Sequence, residues 1–447
     1  MMESMTLTRD EIAMGRNYLD TAMRLGADKC RITLTKSAMD LVATLDGQID
    51  RITHNMDRNV TLALFKDKRY GTFSTNKLDW DADDFVSKAL EAVEMLAEDP
   101  ARDLPPIERT ERSGEDAGLY NKAAYEAMTM EKRMEISLGA ACFGSHPDII
   151  SEEGEYTDSL TDVCIFDSNG ASCRHFETAF EYATEVTVRD GDSKVSAYWW
   201  DSALNPASLD GASIGRTALA AALAKRRPQR TDGGSMTVVV ESECSSKLLA
   251  PILSAMNGFA IQQNNSFLTG RLGEKLFPEW LDIIDRPREK GATGARLFDT
   301  EGVATIELPL VEHGVLKNFF VTTFIANKTG MAPTIDDASR PCVLSSRNED
   351  CDALVASCLK GLGAGEKGII RITGFNGGNC NSATGDFSFG IEGFFVGPEG
   401  SFPVRECVMT GNMIDLWNHL LAVGNDPRPC RSRQVPSLVF EKVDISS

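Results

Sequence analysis

The chain has 447 residues, of which 42% are hydrophobic and 25% are charged, a composition ordinary for a globular protein of about three domains. Its formal net charge of −20 argues against direct binding to nucleic acids, which requires a basic surface. The N-terminal residues lack the apolar core of a secretory signal, and no apolar run approaches the roughly 18 residues of a membrane span. The sequence therefore predicts a cytoplasmic protein without a membrane segment.

The first predicted domain, residues 1–98, combines helices and strands. Apolar spacing predicts helices over residues 9–25 and 82–96, and the pair Asp46 and Gly47 signals a hairpin turn between two strands. A polar, proline-rich stretch marks the end of this α/β domain. The predicted strands cover residues 30–34, 40–46, 48–55 and 58–66.

The middle predicted domain, residues 119–230, is an α+β domain. Helices are predicted over residues 122–142 and 211–224, and an antiparallel strand meander lies between them. The meander strands cover residues 149–156, 159–167, 172–190 and 194–200.

The third predicted domain, residues 233–447, is rich in β-structure. A nearly continuous apolar strand over residues 236–241 precedes a helix over residues 245–258. The predicted fold class is therefore α+β, with several domains, mixed and antiparallel sheets flanked by helices, and a β-rich C-terminal domain. Further strands are predicted over residues 305–310, 316–323, 368–374, 386–396 and 437–442, and further helices over residues 352–361 and 414–423.

Residues 373–393 form the most unusual stretch of the sequence, with six glycines and three asparagines in 21 residues. A glycine-rich backbone beside an apolar strand could bind an extended peptide through main-chain hydrogen bonds. The alternative is a tight internal turn that allows two sheets to pack closely. The peptide-binding candidates are Asn376, Gly377, Gly378, Asn379, Asn381, Asp386, Phe387 and Phe389.

Metal-binding residues are sparse in this sequence. The 11 cysteines include no CxxC pair and are expected to be free thiols. The five histidines are too widely separated to form a local metal motif, so no cofactor is expected in this chain. The histidines are His54, His146, His175, His313 and His419.

Five separated motifs stand in the last third of the chain: FDTEG (298–302), EHGVLKN (312–318), NGGNCN (376–381), TGDFSFGIEG (384–393) and GNMIDLW (411–417). These motifs resemble the TldD/PmbA family, specifically its PmbA or TldE-like branch. The resemblance follows the order of elements over essentially the whole chain and implies part of a cytosolic two-subunit peptidase that processes unfolded peptides. Its TldD-type subunit would carry H-E-x-x-x-H on a helix and bind zinc, with a cysteine near its C-terminus completing the site.

This chain departs from the zinc-binding pattern that the resemblance implies. Alignment on the Leu-Leu pair before Ala250 places Ala250 and Ala255 at the histidine positions and Pro251 at the glutamate position. None of these side chains can bind zinc or act as a base. Cys430 is similar in position to the family's C-terminal cysteine, and it is expected to be a structural residue.

Three functions stay open at this point. The preferred hypothesis is a non-catalytic subunit that pairs with a TldD-like, zinc-bearing subunit and helps to bind unfolded peptides; self-association as a homodimer is an alternative state when the chain is alone. A second hypothesis is a stand-alone metallopeptidase whose ligands converge from distant positions such as His313, His419 and Cys430. A third is an acidic regulator that binds DNA gyrase, a role to which older naming links the family.

Overall fold

A computed structural model describes residues 5–77, 81–363 and 366–447. The helices in these ranges are α1 (Arg9–Arg24), α2 (Ala82–Glu94), α3 (Lys122–Glu126), α4 (Met130–Ala140), α5 (Gly211–Ala224), α6 (Ser242–Ala255), α7 (Gly258–Gln262), α8 (Thr323–Thr329), α9 (Cys351–Lys360) and α10 (Met413–Asn418). Among these described helices, none combines the length and apolarity that a membrane span requires.

The strands come in runs that are separated by helices, and the predicted α+β class is confirmed. They are β1 (Lys29–Leu45), β2 (Gln48–Lys66), β3 (Arg69–Thr75), β4 (Ile149–Asp167), β5 (Ser172–Asp190), β6 (Ser193–Ala203), β7 (Gly234–Val240), β8 (Ile283–Asp285), β9 (Leu308–Glu312), β10 (Val315–Leu316), β11 (Pro341–Val343), β12 (Ile369–Phe375), β13 (Asn379–Cys380), β14 (Asp386–Gly397), β15 (Gly400–Asn412), β16 (Leu420–Val423) and β17 (Leu438–Ser446).

Six strands form one antiparallel sheet in the order β3-β2-β1-β4-β5-β6. Its central pair, β1 and β4, joins the segments predicted as residues 1–98 and 119–230, so the two segments share a sheet. Helices from both segments pack on it, with α1 and α4 against β1 and α5 against β5 and β6. The domain boundaries themselves stay a prediction.

Strand β1 continues through residues 35–39, where the sequence predicts a gap because polar side chains interrupt the apolar pattern. The structure buries and pairs Lys36 of this stretch and the neighbouring Asp40. Lys36 Nζ lies 3.0 Å from Glu11 Oε1, and Arg133 lies 2.9 Å from Asp40 Oδ2 and 2.7 Å from Asp158 Oδ2. We call these five residues the buried charge belt, and they allow the strand to stay regular beneath α1 and α4.

The sequence does not predict strands β3 and β15, because the residues of a turn or of the strand itself are untypical of such elements. The turn before β3 uses Asp67 and Lys68 at positive φ, so it lacks the asparagine or glycine by which such a hairpin turn is recognised. Strand β15 contains Pro403 and has Glu406 at φ 56°, both of which interrupt a regular strand pattern.

The C-terminal segment is built around a sheet in the order β12-β7-β17-β15-β14-β13. Strand β12 also pairs with β14, so the sheet closes on itself. We call this the closed sheet. A separate sheet of short strands, in the order β10-β9-β8-β11, lies beside it.

Two predicted elements of this segment differ in the structure. The predicted strand over residues 316–323 ends at Leu316 and is followed by α8. The predicted helix over residues 414–423 ends at Asn418, because the next residues form β16, which pairs with β17.

Closure of this sheet depends on a backbone approach that only glycine permits. A Cβ at Gly393 in β14 would lie 2.0 Å from the carbonyl oxygen of Arg371 in β12. A Cβ at Gly374 of β12 would have Glu392 Oε2 as its nearest neighbour, at 3.7 Å. The glycine at position 393 is therefore required by packing, whereas Gly374 has room for a methyl group.

We predict that Gly393→Ala weakens the closed sheet, because β12 and β14 must separate to accept the methyl group. The expected loss is about 1–3 kcal/mol in the free energy of opening, measured by native-state hydrogen exchange of β12 and β14 amides. Gly374→Ala, on the strand opposite, is the matched control and should change it by less than about 0.5 kcal/mol. Equal effects at both positions would contradict the backbone contact as the cause.

Candidate functional site

Helix α6 presents one half-buried face beside the closed sheet. It follows β7, and Leu248 and Ile252 on its inner side are fully buried. The indole Nε1 of Trp417 donates to the carbonyl oxygen of Leu248 at 3.3 Å, which ties α6 to α10. Ala250 and Pro251 lie on the half-buried side. Helical spacing therefore directs these two positions away from the core.

A cavity of about 240 Å³ lies over this face, and we call it the α6 cavity. Its walls come from α6 on one side and from the glycine- and asparagine-rich segment on the other. The structure thus brings together two features that the sequence predicted separately. Its lining residues are Lys247, Ala250, Pro251, Ser254, Phe267, Asn379, Cys380, Ser382 and Phe389.

The glycine- and asparagine-rich segment folds back on its own sheet. Asn376 N–H donates to the carbonyl oxygen of Gly390 at 3.0 Å, and Asn379 pairs with Ser388 of β14. Gly378 has φ 84°, and a Cβ there would lie 1.9 Å from the carbonyl oxygen of Ser388. This part of the segment is therefore a tight turn against β14 of the same sheet.

Other candidates in the segment differ in exposure. Gly377 and Asn379 are exposed at the surface, and Asn379 also lines the α6 cavity. Phe387 is 5% exposed and Phe389 is 1% exposed, and their rings stack at 5.1 Å. Phe387 therefore belongs to the core, whereas Phe389 also forms part of the cavity wall. Strand β13 stands at the end of the sheet order, which leaves one side without a neighbouring strand among the described residues.

A hydrogen-bonded turn fixes residues 381–386 at the mouth of the cavity. Asn381 N–H donates to the carbonyl oxygen of Asp386 at 2.8 Å, and Asn381 Oδ1 accepts from the N–H of Ala383 at 2.9 Å. Asn412 Nδ2 donates to Asp386 Oδ1 at 3.0 Å, and Thr384 Oγ1 donates to Asp386 Oδ2 at 2.7 Å. These two hydrogen bonds, the one from Asn412 first, lower the pKa of Asp386.

Lys247 is one of the cavity residues that the sequence analysis missed. Its ammonium lies 5.1 Å from the ring centroid of Phe389, a cation–π contact. Lys247 precedes Ala250 by three residues and Pro251 by four, so the helical period already placed it on the same face. Phe267 and Ser382 were also missed, and no local pattern signals them, because the N–H of Phe267 reaches the carbonyl oxygen of Ser382 across the fold at 2.9 Å.

The residues of this cavity do not fit a zinc ion. Ala250 and Pro251 carry no donor atoms, Ala255 is 2% exposed on the buried side of α6, and the ammonium of Lys247 would repel a cation. Within residues 5–77, 81–363 and 366–447, no three His, Cys, Asp or Glu side chains are grouped to hold a metal. Among the residues that line the cavity, Cys380 is the one that metal sites commonly use, and a single thiol does not make a zinc site.

The three distant residues considered as metal ligands have different surroundings. His313 is 77% exposed in the turn between β9 and β10, with its Nδ1 3.8 Å from Asp282. The Nδ1 of His419 contacts the carbonyl oxygen of Asp415 at 2.8 Å. Cys430 is buried, and burial raises the pKa of its thiol. It is not among the described residues that line the α6 cavity.

Comparison with known proteins gives matches over the whole chain. Residues 233–447 match the PmbA/TldA metallopeptidase C-terminal domain. The metalloprotease PmbA of Escherichia coli is 24% identical, with 96% of this chain and 95% of the relative covered. The structure of a candidate modulator of DNA gyrase from Bacteroides thetaiotaomicron is 36% identical with a TM-score of 0.92, covering 99% of this chain and 100% of the other.

The fold is also found in TldE from Thermococcus kodakarensis, with 16% identity and a TM-score of 0.81 over 97% of this chain and 100% of the other. At that identity the similarity concerns the fold alone. The sequence similarity to the Bacteroides protein is what connects this chain to a family.

We predict that Asn412→Asp raises the pKa of Asp386, because the substitution replaces a hydrogen-bond donor with a second negative charge. The new carboxylate can still accept from the N–H of Ile414, as Asn412 Oδ1 does at 3.0 Å, so the start of α10 is kept. The change is measured by ¹³C NMR titration of the Asp386 carboxyl.

Because the pKa of Asp386 is lowered in the folded protein, this carboxylate makes the stability of the fold depend on pH. The contribution of Asp386 is present above the pKa of the unfolded chain and is lost as the pH falls through the folded pKa. Thr384→Val, which removes the other donor, should raise the pKa less. An unchanged titration in the Asn412→Asp variant would show that this hydrogen bond does not stabilise the ionised carboxylate.

Proposed function

The chain belongs to the PmbA/TldD family of metallopeptidases, and we propose that it is the non-catalytic subunit of a two-subunit peptidase that processes unfolded peptides. Its partner would be a TldD-like subunit that holds the zinc ion and performs hydrolysis. The complex would act in the cytoplasm. The observation that carries this proposal is the α6 cavity, in which Ala250 and Pro251 stand opposite Asn379 and a lysine takes part in the wall.

The cavity offers binding groups that tolerate many sequences. The wall from the glycine- and asparagine-rich segment supplies the polar side chains of Asn379 and Ser382 and the apolar ring of Phe389. The α6 wall supplies the apolar surface of Pro251. An extended peptide could lie along the outer side of β13 and bind through its main chain, a mode in which side-chain identity contributes little. In this proposal Gly378 and Phe387 hold the wall in place and do not touch the peptide.

The chemistry of α6 supports the proposal that hydrolysis takes place in the other subunit. A catalytic zinc site needs several protein ligands and an open position for water. The helix here offers two alanines and a proline at the corresponding positions, together with a positive charge nearby. Hydrolysis is therefore assigned to the partner, and this chain contributes surface that holds the substrate.

We predict that Ala250→Phe, which fills the α6 cavity, reduces peptide processing by the reconstituted pair at least tenfold. The measurement is kcat/KM on an unfolded peptide, with assembly of the pair checked by size-exclusion chromatography. Ala123→Phe on the exposed side of α3 makes the same substitution away from the cavity and should leave kcat/KM within twofold. Undiminished processing by an assembled Ala250→Phe pair would refute the role of this cavity.

A second prediction separates this function from that of a stand-alone metallopeptidase. Cys430→Ser should leave the zinc content and kcat/KM of the pair within about twofold, because Cys430 is assigned a structural role. Substitution of the histidines in the partner's H-E-x-x-x-H should abolish both. Loss of zinc from the Cys430→Ser chain, or chelator-sensitive hydrolysis by this chain alone, would instead favour the stand-alone enzyme.

A further inference from the structure

A second, larger cavity of about 610 Å³ lies between the six-stranded sheet and the closed sheet, and we call it the arginine cavity. Strand β6 lines one side with Trp199 and Trp200, and the first turn of α6 contributes Glu243. Arg428 and Arg431 come from the connection between β16 and β17. In a chain of net charge −20, this concentration of arginine beside tryptophan is unusual.

One of these arginines already has its partners. Arg428 Nη1 donates to Glu243 Oε2 at 2.6 Å, and its Nη2 donates to the carbonyl oxygen of Trp200 at 2.6 Å. Its guanidinium also lies 4.8 Å from the ring centroid of Trp199. Arg428 thus acts as a structural bridge between α6 and the edge of the six-stranded sheet.

Arg431 lacks a comparable set of partners. Its nearest carboxylate oxygen, Glu243 Oε2, is 3.8 Å away, beyond hydrogen-bond distance. Its Nε is buried and has no hydrogen-bond partner among the described residues, and its side chain is only 25% exposed. The guanidinium lies 5.2 Å from the ring centroid of Trp200. The part of the guanidinium that remains exposed faces the cavity without a hydrogen-bonded carboxylate from the residues that the structure describes, and a ligand carboxylate could bind there in the geometry that arginine prefers.

The exposed edge of β6 supplies main-chain groups for the same ligand. The carbonyl oxygen of Trp200 points away from β5, because it accepts from Arg428. Residues alternate in direction along a strand, so Tyr198 directs its N–H and C=O to the same free side. Tyr198 also lines the arginine cavity and is 54% exposed. An extended peptide can therefore pair with β6 here.

We propose that the arginine cavity is a carboxylate-binding subsite for an extended peptide, with Arg431 as the residue that recognises the carboxylate. The carboxylate would belong to an acidic side chain or to the C-terminus of the peptide. The subsite deepens the proposed function and rests on it for the nature of the ligand. Trp200 supports the Arg431 guanidinium from one side, and Tyr198 binds the adjacent main chain.

The two cavities lie along one face of α6. Glu243 of the arginine cavity and Ala250 of the α6 cavity are two turns apart, and Lys247 stands between them on the same face. Seven residues of helix correspond to about 10 Å, and an extended peptide covers that length with about three residues. One peptide could therefore occupy both cavities, with its carboxylate about three residues from the part that contacts Asn379.

The experiment compares four blocked peptides on the isolated full-length chain by isothermal titration calorimetry. The first pair is a pentapeptide with a central glutamate and its glutamine counterpart, both acetylated and amidated. The second pair is acetylated pentaalanine with a free or an amidated C-terminus. We expect at least one carboxylate peptide to bind about tenfold more tightly than its neutral counterpart. The pair that shows the difference identifies the source of the carboxylate.

Arg431→Met should abolish this difference while leaving the affinity for the neutral peptides within twofold. Arg431→Lys keeps the charge but not the bidentate geometry and should retain only part of the preference. Arg216→Met, at an arginine exposed on α5, controls for loss of one positive charge and should retain all of it. If Arg431→Met does not fold, the lysine variant decides the same question. A preference that survives replacement of Arg431, or a wild-type chain that shows none, overturns the subsite.

The same variants keep this inference distinguishable from the proposed function. If the reconstituted pair processes peptides with no carboxylate preference and no effect of Arg431→Met, the subsite fails and the subunit role stands. If the pair processes nothing, while the isolated chain keeps a preference that depends on Arg431, the subunit role fails and the subsite stands.

Discussion

The close contact between β12 and β14 is the constraint on which the C-terminal half of this molecule depends. Closure of the sheet requires Gly393 to lie against the carbonyl oxygen of Arg371, with no room for a side chain. Phe389 lies on β14 of this closed sheet, is 1% exposed and contributes to the wall of the α6 cavity. The wall that faces α6 therefore depends on the backbone approach that closes the sheet.

Helix α6 is held in place by its inner side. Its stability comes from Leu248 and Ile252, which are buried on the inner side, and from the hydrogen bond with Trp417. Residues on the outer side carry little of the packing, so they are free to change chemistry. The chemistry of the outer side of α6, where Lys247, Ala250 and Pro251 stand, is therefore independent of the packing that holds the helix.

The sequence predicted much of this architecture because most elements have strong local signals. Helix α5 lies at the predicted residues 211–224. The glycine-rich segment contains a turn at Gly378, where a side chain would not fit. Its partner could not be predicted, since the contact of Gly378 with Ser388 depends on which strand lies opposite. The arginine cavity could not be predicted either, because Trp200 and Arg431 are far apart in the sequence. They come together only when the six-stranded sheet and the closed sheet pack against each other.

The buried charge belt has a consequence for how the long strands find their alignment. Strands of this length could shift by two residues and still present the same side chains to the helices, so apolar contacts alone discriminate weakly between such arrangements. A shift of β1 by two residues would move Lys36 away from Glu11 and Asp40 away from Arg133, and would separate opposite charges that are buried, while Arg133 would keep Asp158. The buried ion pairs therefore destabilise sheets whose strands are out of register.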